Sequence, residues 1–464
     1  MIKQGMHSFV NQKGTLLLLL VYAVGSIYLL ATQDGVGPEA DSITHFLIAK
    51  YAPEYPWLFL DHWGKPLFTL LAAPFAAFGF VGIKTFNMLL TGINVYLINQ
   101  LCKRLHIDYP QLAALFYLLF PLTLSTSFSG LTEPLFACFV LIHLTLLQKK
   151  HYGQAALLLS FVPFIRSEGL ILLGIYGLVE LYNKRYKTMG LLIVGHATFT
   201  LAGAFYGKNL LWVFKQIPYA HASSPYGSGP WTHFFDKMTY VMGIPLMVLF
   251  WCGLTFILYR IVKKRTKLSI VPLMILVYFL VFFIGHSIFW TFGIFNSMGL
   301  KRVFAAVTPL MAIIALYGFQ LLGRVHKKTF RSALRFFVLV YILIFPFTSN
   351  PAANEFDASV SLQPKQKAAE KLAFPKNYKR LVFGDPYLYL KFGIDPYNTK
   401  VHLQLYIKNL SYIQSGDLLI LDDWHAPWDE SIKFLEEKGL DQNFELVLLQ
   451  ELPPYYRVYG VNKQ

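Results

Sequence analysis

DGVGPEADSITHFLIAKYAPEYPWLFLDHWGKPLFTLLAAPFAAF, residues 34–78, is the stretch that sets the reading of this chain. It follows an apolar run at 15–31 and gathers Asp34, Glu39, Asp41, Asp61 and His62 into one connecting segment. Almost everything else out to residue 350 is apolar. Acids grouped beside a hydrocarbon-dwelling bundle cost stability unless they stay wet or have work to do. The segment therefore marks a candidate site at one end of a bundle.

Composition supports the bundle. Of 464 residues, 55% are hydrophobic, 17% aromatic and only 14% charged, whereas soluble domains carry roughly 25% charged residues. Apolar runs recur near 15–31, 83–101, 109–126, 132–148, 152–165, 168–182, 189–206, 239–260, 269–290, 303–323 and 333–349. About 20 such residues cross roughly 30 Å of hydrocarbon as a helix, so the expected fold is a multi-span α-helical membrane protein with about 11 transmembrane helices. Lys3 and Lys13 ahead of the first run imitate a signal peptide, but the later spans make an uncleaved anchor the expectation. The run 66–80 is short and contains Pro74, and reads as an interfacial helix.

A net charge of +16 would suggest anionic partners in a soluble chain. Here the basic residues sort by loop. With the N-terminus cytoplasmic, Lys103/Arg104, Lys149/Lys150, Lys184/Arg185/Lys187 and the clusters at 260–267 and 324–335 all fall inside, as the positive-inside rule requires. No nucleic-acid partner is expected. The same orientation places residues 34–78 and the chain's tail outside an inner (plasma) membrane. Cys102, Cys138 and Cys252 lack metal-ligand spacing and read as packing residues. Beyond residue 350 the chain is far more charged, with candidate strands at 379–384, 417–422, 445–450 and 456–461 and helices at 364–373 and 429–438. The expected organisation is a membrane domain over 1–350 and a small extracytoplasmic α/β domain over 351–464.

Under that topology the outer ends of several spans share one side. The first segment brings Glu39, Asp41, His45, Asp61, His62 and Lys65. The turn SFSGLTEP brings Glu133, FIRSEG brings Arg166 and Glu168, and later loops add His221, His233, Lys301 and Arg302. Carboxylates beside cations suit a reaction in which a hydroxyl loses its proton while an anionic leaving group is neutralised. Transfer from a lipid-linked sugar phosphate fits, with Arg or Lys on the departing phosphate. Plainer roles compete. Asp41 could cap the helix that follows it, Glu133, Arg166 and Glu168 could be a structural ion-pair network, and Lys301 and Arg302 could anchor a span at anionic headgroups. His221 and His233 read as loop-packing residues, and Asp422, Asp423, Trp424 and His425 as a wet acidic turn after a strand.

These residues carry a resemblance. ADSITHFLIAKYA, HWGKPLFTLLAAPF, NVYLINQLCKRL, SGLTEPLFACF, IRSEGLILL and NSMGLKRVFAAVTPLMAIIALYG follow one another in the order seen in the GT-C superfamily of polyprenyl-phosphate-sugar glycosyltransferases. That superfamily includes the protein O-mannosyltransferases and the lipid A aminoarabinose transferase. The resemblance spans roughly residues 10–350. Where relatives show paired acids, this chain has Asp41 followed by Ser42, with Glu39 two residues earlier. The resemblance implies a GT-C-like fold and transfer of a sugar, mannose or another hexose, from a polyprenyl-phosphate donor to a glycan, lipid or protein acceptor, with inversion. By carry-over Asp41 is the catalytic base and Glu39 its substitute. His62, Lys65, Glu133 and Glu168 line the substrate site, and Arg166, Lys301 or Arg302 binds the lipid phosphate. A divalent metal serves some relatives and not others. From other classes, a transporter or flippase for lipid-linked glycans, or a polymerase joining them, shares the many spans. Against a transporter, no inverted repeat is visible and the ionisable residues sit at span ends.

Overall fold

The computed structural model describes residues 2–32, 40–218, 224, 226–263, 268–324, 326–348, 363–375, 377–427, 429–440 and 444–463. Glu39, Asp34 and His221 lie outside the described residues. A long first helix, α1 (Ile2–Thr32), is followed by two short ones, α2 (Ala40–Tyr51) and α3 (Pro66–Ala76). Next come α4 (Gly79–Arg104), α5 (Pro110–Leu119), α6 (Pro121–Thr126), α7 (Glu133–Gln148), α8 (Tyr152–Ser160) and α9 (Gly169–Tyr182). The bundle continues through α10 (Tyr186–Gly190), α11 (Val194–Phe205), α12 (Trp212–Lys215), α13 (His233–Met242), α14 (Ile244–Val262), α15 (Ile270–Phe292), α16 (Thr308–Leu321) and α17 (Lys328–Thr348).

The eleven apolar runs coincide with helical segments, although not every segment is long enough by itself to be a full span. Among the described residues, six helical stretches are long and apolar enough to cross a membrane: Lys13–Thr32, Gly79–Arg104, Tyr186–Phe205, Ile244–Val262, Ile270–Phe292 and Lys301–Arg324. Some of the others are cut short for local reasons. Pro121 starts a new helix at an extended Phe120 and splits the 109–126 run, because proline lacks the amide that would continue the first one. Pro163 likewise falls in a 3₁₀ turn that follows α8 after nine residues. Helix α7, with 16 residues, is about 24 Å long and is enclosed by its neighbours, with Leu135, Phe136, Val140, Leu141 and Leu144 all buried. Helix α3 keeps Pro74 inside its 11 residues and is too short to span, as its sequence suggested. The six long apolar helices make the chain an integral membrane protein.

Helices α14 and α16 approach closely because glycines face each other. A Cβ on Gly318 would lie 1.9 Å from the Leu249 carbonyl oxygen, and one on Gly253 would lie 2.1 Å from that of Ile314. Small residues set backbone approach inside membranes, where no hydrophobic force drives helices together. Gly318→Val is therefore expected to wedge α14 off α16 and destabilise the protein by about 1–3 kcal/mol. A melt in detergent checks this, and an unchanged melting temperature would mean that the close approach is not required.

Five strands form the C-terminal sheet: β1 (Leu381–Phe383), β2 (His402–Gln404), β3 (Leu418–Asp422), β4 (Phe444–Leu452) and β5 (Tyr456–Lys463). Their order is β2-β1-β3-β5-β4. Strands β2, β1 and β3 run parallel, and β5 pairs antiparallel with β3 and β4. Helices α18 (Gln363–Ala369), α19 (Pro386–Phe392) and α20 (Glu430–Lys438) accompany them. Four strands and two helices sit where the alternating pattern suggested. Strand β2 and helix α19 were not foreseen, the strand being only three residues long. This unit rests on the bundle through aromatic contacts and one strong hydrogen bond. The Tyr55 hydroxyl donates to Asp395 Oδ2 at 2.7 Å, and Tyr397 packs on Tyr51 and Tyr55.

Candidate active site

One end of the bundle collects a chain of charges from five separate elements. Asp41 lies in the first turn of α2 and ion-pairs with Arg302, at the start of a 3₁₀ stretch (Lys301–Val307) leading into α16. Arg302 Nε lies 3.6 Å from Glu133 Oε1 at the start of α7. The same Glu133 oxygen is 2.6 Å from Arg166 Nη1, and Arg166 Nη2 is 2.6 Å from Glu168 Oε1. His286 Nε2 on α15 stands 3.8 Å from Glu168. Arg166 also donates to Thr132 Oγ1 at 3.1 Å. A fully buried Glu133, 1% exposed, is stable only with such partners.

Lys65 joins from the first segment. The turn before it is fixed by Gly64 N–H donating to Asp61 Oδ1 at 2.6 Å. A Cβ on Gly64 would press to 2.7 Å of Ile48, so glycine is needed for α2 to pack there. Lys65 itself has φ of 64°, uncommon for a residue with a side chain, and Pro66 then starts α3. This bend turns the buried ammonium inward, where it donates to Ser167 Oγ at 3.1 Å. Burial pushes Lys65 down to about 8, against the pull of the Glu168 charge. For Asp41, burial favours the protonated carboxyl and the Arg166 charge opposes it. His45 is stacked 4.8 Å from Trp63 and is held neutral, down to about 3, by burial.

Not every candidate meets in this cluster. The His62 ring nitrogen Nε2 is 2.8 Å from the Val213 carbonyl, and the ring packs on Trp212, tying the first segment to the 207–238 loop. Lys301 turns to the face of Tyr240, 5.1 Å from the ring centre, while Arg302 next to it faces Asp41. His233 Nε2 lies 2.8 Å from the Gly299 carbonyl, a loop-packing role. Among the described residues no group of three or more His, Cys, Asp or Glu is arranged to hold a metal.

Asp41 lines a cavity of about 1330 Å³ whose opposite wall is the α/β unit. There the expectation of a wet acidic turn fails. Asp422 is buried and lies 2.5 Å from Lys365 Nζ and 2.5 Å from His425 Nδ1, while Lys365 also reaches Asp385 at 2.8 Å. Asp423 instead pairs with Arg457 at 2.6 Å. The partner lysine is 57 residues away in sequence, so no local pattern announces the pairing. Burial disfavours the Lys365 charge, but Asp385 and Asp422 more than offset this and hold it above the ordinary lysine range. The one legible signal was that both acids follow apolar strands.

No protein-family model and no curated protein matches the sequence. Solved structures do match. ArnT from Cupriavidus metallidurans bound to undecaprenyl phosphate aligns with a TM-score of 0.58 at 13% identity, covering 96% of this chain and 97% of that one. The apo state of the same ArnT aligns with a TM-score of 0.54 at 12% identity, covering 97% and 98%. Over nearly its whole length, the chain has the fold of ArnT.

Proposed function

We propose that the protein is a membrane glycosyltransferase that moves a sugar, read as a hexose, from a polyprenyl-phosphate donor to a hydroxyl acceptor. The observation that carries this reading is the charge chain Asp41–Arg302–Glu133–Arg166–Glu168 with Lys65 beside it, at the end of the bundle where the cavity opens. The fold shared with an ArnT solved with undecaprenyl phosphate suggests the donor class. In this reading Arg166, Lys65 and Arg302 receive the donor phosphate, and Asp41 faces the acceptor. The acceptor oxygen attacks the anomeric carbon, its proton passes to Asp41, and the carbon–oxygen bond to phosphate breaks. Polyprenyl phosphate leaves with the bonding electrons, its new charge held by the guanidinium groups. Attack opposite the leaving phosphate inverts the anomeric centre. His62 and Lys301, turned to Val213 and Tyr240, support the site from outside the cavity lining. Positive-inside sorting of the basic loops supports an extracytoplasmic site, with residues 1–350 as the membrane unit and 351–464 as the appended one.

A pH profile tests the phosphate role. Lys65 is charged below about 8 and neutral above. If its charge receives the phosphate, kcat/KM for the donor falls as pH rises through that value, because this ratio reports the free enzyme. Lys65→Arg, charged at every accessible pH, is expected to move the alkaline limb upward. A limb that stays in place in Lys65→Arg removes Lys65 from donor binding.

A further inference from the structure

The second wall of the cavity has the architecture of a binding site in its own right. Strand β1 has β2 on one side and β3 on the other, all three parallel. Successive connections therefore diverge between β1 and β3, and in open α/β sheets ligands sit in the crevice outside the carboxyl ends of strands at such a point. Asp385 follows β1 and caps α19, Asp422 ends β3, and both line the cavity. Lys365 bridges the two carboxylates, and the Tyr456 hydroxyl donates to Asp385 Oδ2 at 2.6 Å. A buried lysine between carboxylates is a poor choice for stability alone, since apolar replacements of such groups are often neutral or stabilising.

The chemistry of this wall is mixed. His425 turns Nδ1 to Asp422 and remains 41% exposed, which leaves Nε2 for a ligand. The lysine ammonium fills the space between the carboxylates. Tyr387 and Tyr406 add aromatic surface with polar tips. Donors, acceptors and aromatic faces together suit a hydroxyl-rich molecule. At about 1330 Å³ the space exceeds the roughly 300–1,000 Å³ typical of small-molecule pockets, so it fits several linked sugars better than one. We propose that the carboxyl ends of β1, β2 and β3 bind a glycan acceptor, with Asp422 and His425 holding its hydroxyls so that one is presented to Asp41 across the cavity. Presentation to Asp41 rests on the transferase reading; carbohydrate binding does not.

The test uses the full-length protein in detergent on a printed array of defined oligosaccharides, followed by calorimetry with the best-retained soluble glycan. Wild type is expected to retain a subset of glycans, and His425→Ala and Asp422→Asn to raise Kd about tenfold or more. His425→Gln, which keeps a hydrogen-bonding group, is expected to recover part of the loss. Because the His425 side chain is partly exposed, His425→Ala should melt with wild type and decides the matter should Asp422→Asn fail to fold. Wild type retaining no glycan, or His425→Ala binding as tightly as wild type, overturns the proposal. Should His425-dependent binding be found while no sugar is transferred from a polyprenyl-phosphate donor, the transferase reading falls and the glycan site stands.

Discussion

Asp41→Asn is expected to lower donor-dependent sugar transfer by about 10²-fold or more, the usual contribution of a positioned general base. Asparagine keeps the shape of the side chain and cannot take the proton. The substitution also weakens the pair with Arg302, but the asparagine amide oxygen still accepts from that guanidinium, which keeps Glu133 at 3.6 Å. Melting temperature and transfer rate should therefore part company: the first nearly unchanged, the second collapsed. If Asp41 only anchored α2 to the start of α16, the order would reverse. A folded and fully active Asp41→Asn passes the base role to Glu39, two residues earlier in the sequence.

Arg166 carries the other large effect, and here stability and function are entangled. Its guanidinium holds Glu133 and Glu168, each at 2.6 Å. Arg166→Ala leaves Glu133 with only the longer contact to Arg302 and Glu168 with only that to His286, and breaking a buried pair typically costs roughly 3–5 kcal/mol. Loss of activity in that variant would say little. Arg166→Ala combined with Glu133→Gln removes one under-compensated buried charge, so folding should recover in part. Turnover should not recover, because the donor phosphate has lost its forked partner, a loss of about 10²–10³-fold by analogy with other transition-state donors. A melt and a single-turnover assay on the single and double variants decide between the roles. If the double variant regains both stability and turnover, the arginine is structural alone.

Much of this site was legible because membrane topology is a strong sorter. Asp41, Glu133, Arg166, Glu168 and Arg302 lie at the ends of apolar runs, and assigning each run end to one side of the membrane puts them on the same side. Which of two neighbouring cations turns inward was not legible. Lys301 and Arg302 are consecutive in a 3₁₀ stretch, which turns one to Tyr240 and the other to Asp41. Apolarity alone does not say which runs are full spans, since a 16-residue helix such as α7 is apolar as the longer ones are. Residues brought together from distant sequence, such as Lys365 with Asp385 and Asp422, leave no periodic trace. Their only mark was that two acids end parallel strands, and a strand-end acid is far more often a solvated turn.

In the proposed reaction the charge cluster receives the phosphate of a lipid-linked sugar and releases it without the sugar. This is tested most directly by following a doubly labelled polyprenyl-phosphate hexose, with one label on the lipid and one on the sugar, in proteoliposomes supplied with glycan acceptors. Polyprenyl phosphate is expected to appear in step with a new glycoside, and neither is expected with Asp41→Asn. Intact donor recovered on the far leaflet, with both labels still joined, would contradict that reaction and identify a carrier instead.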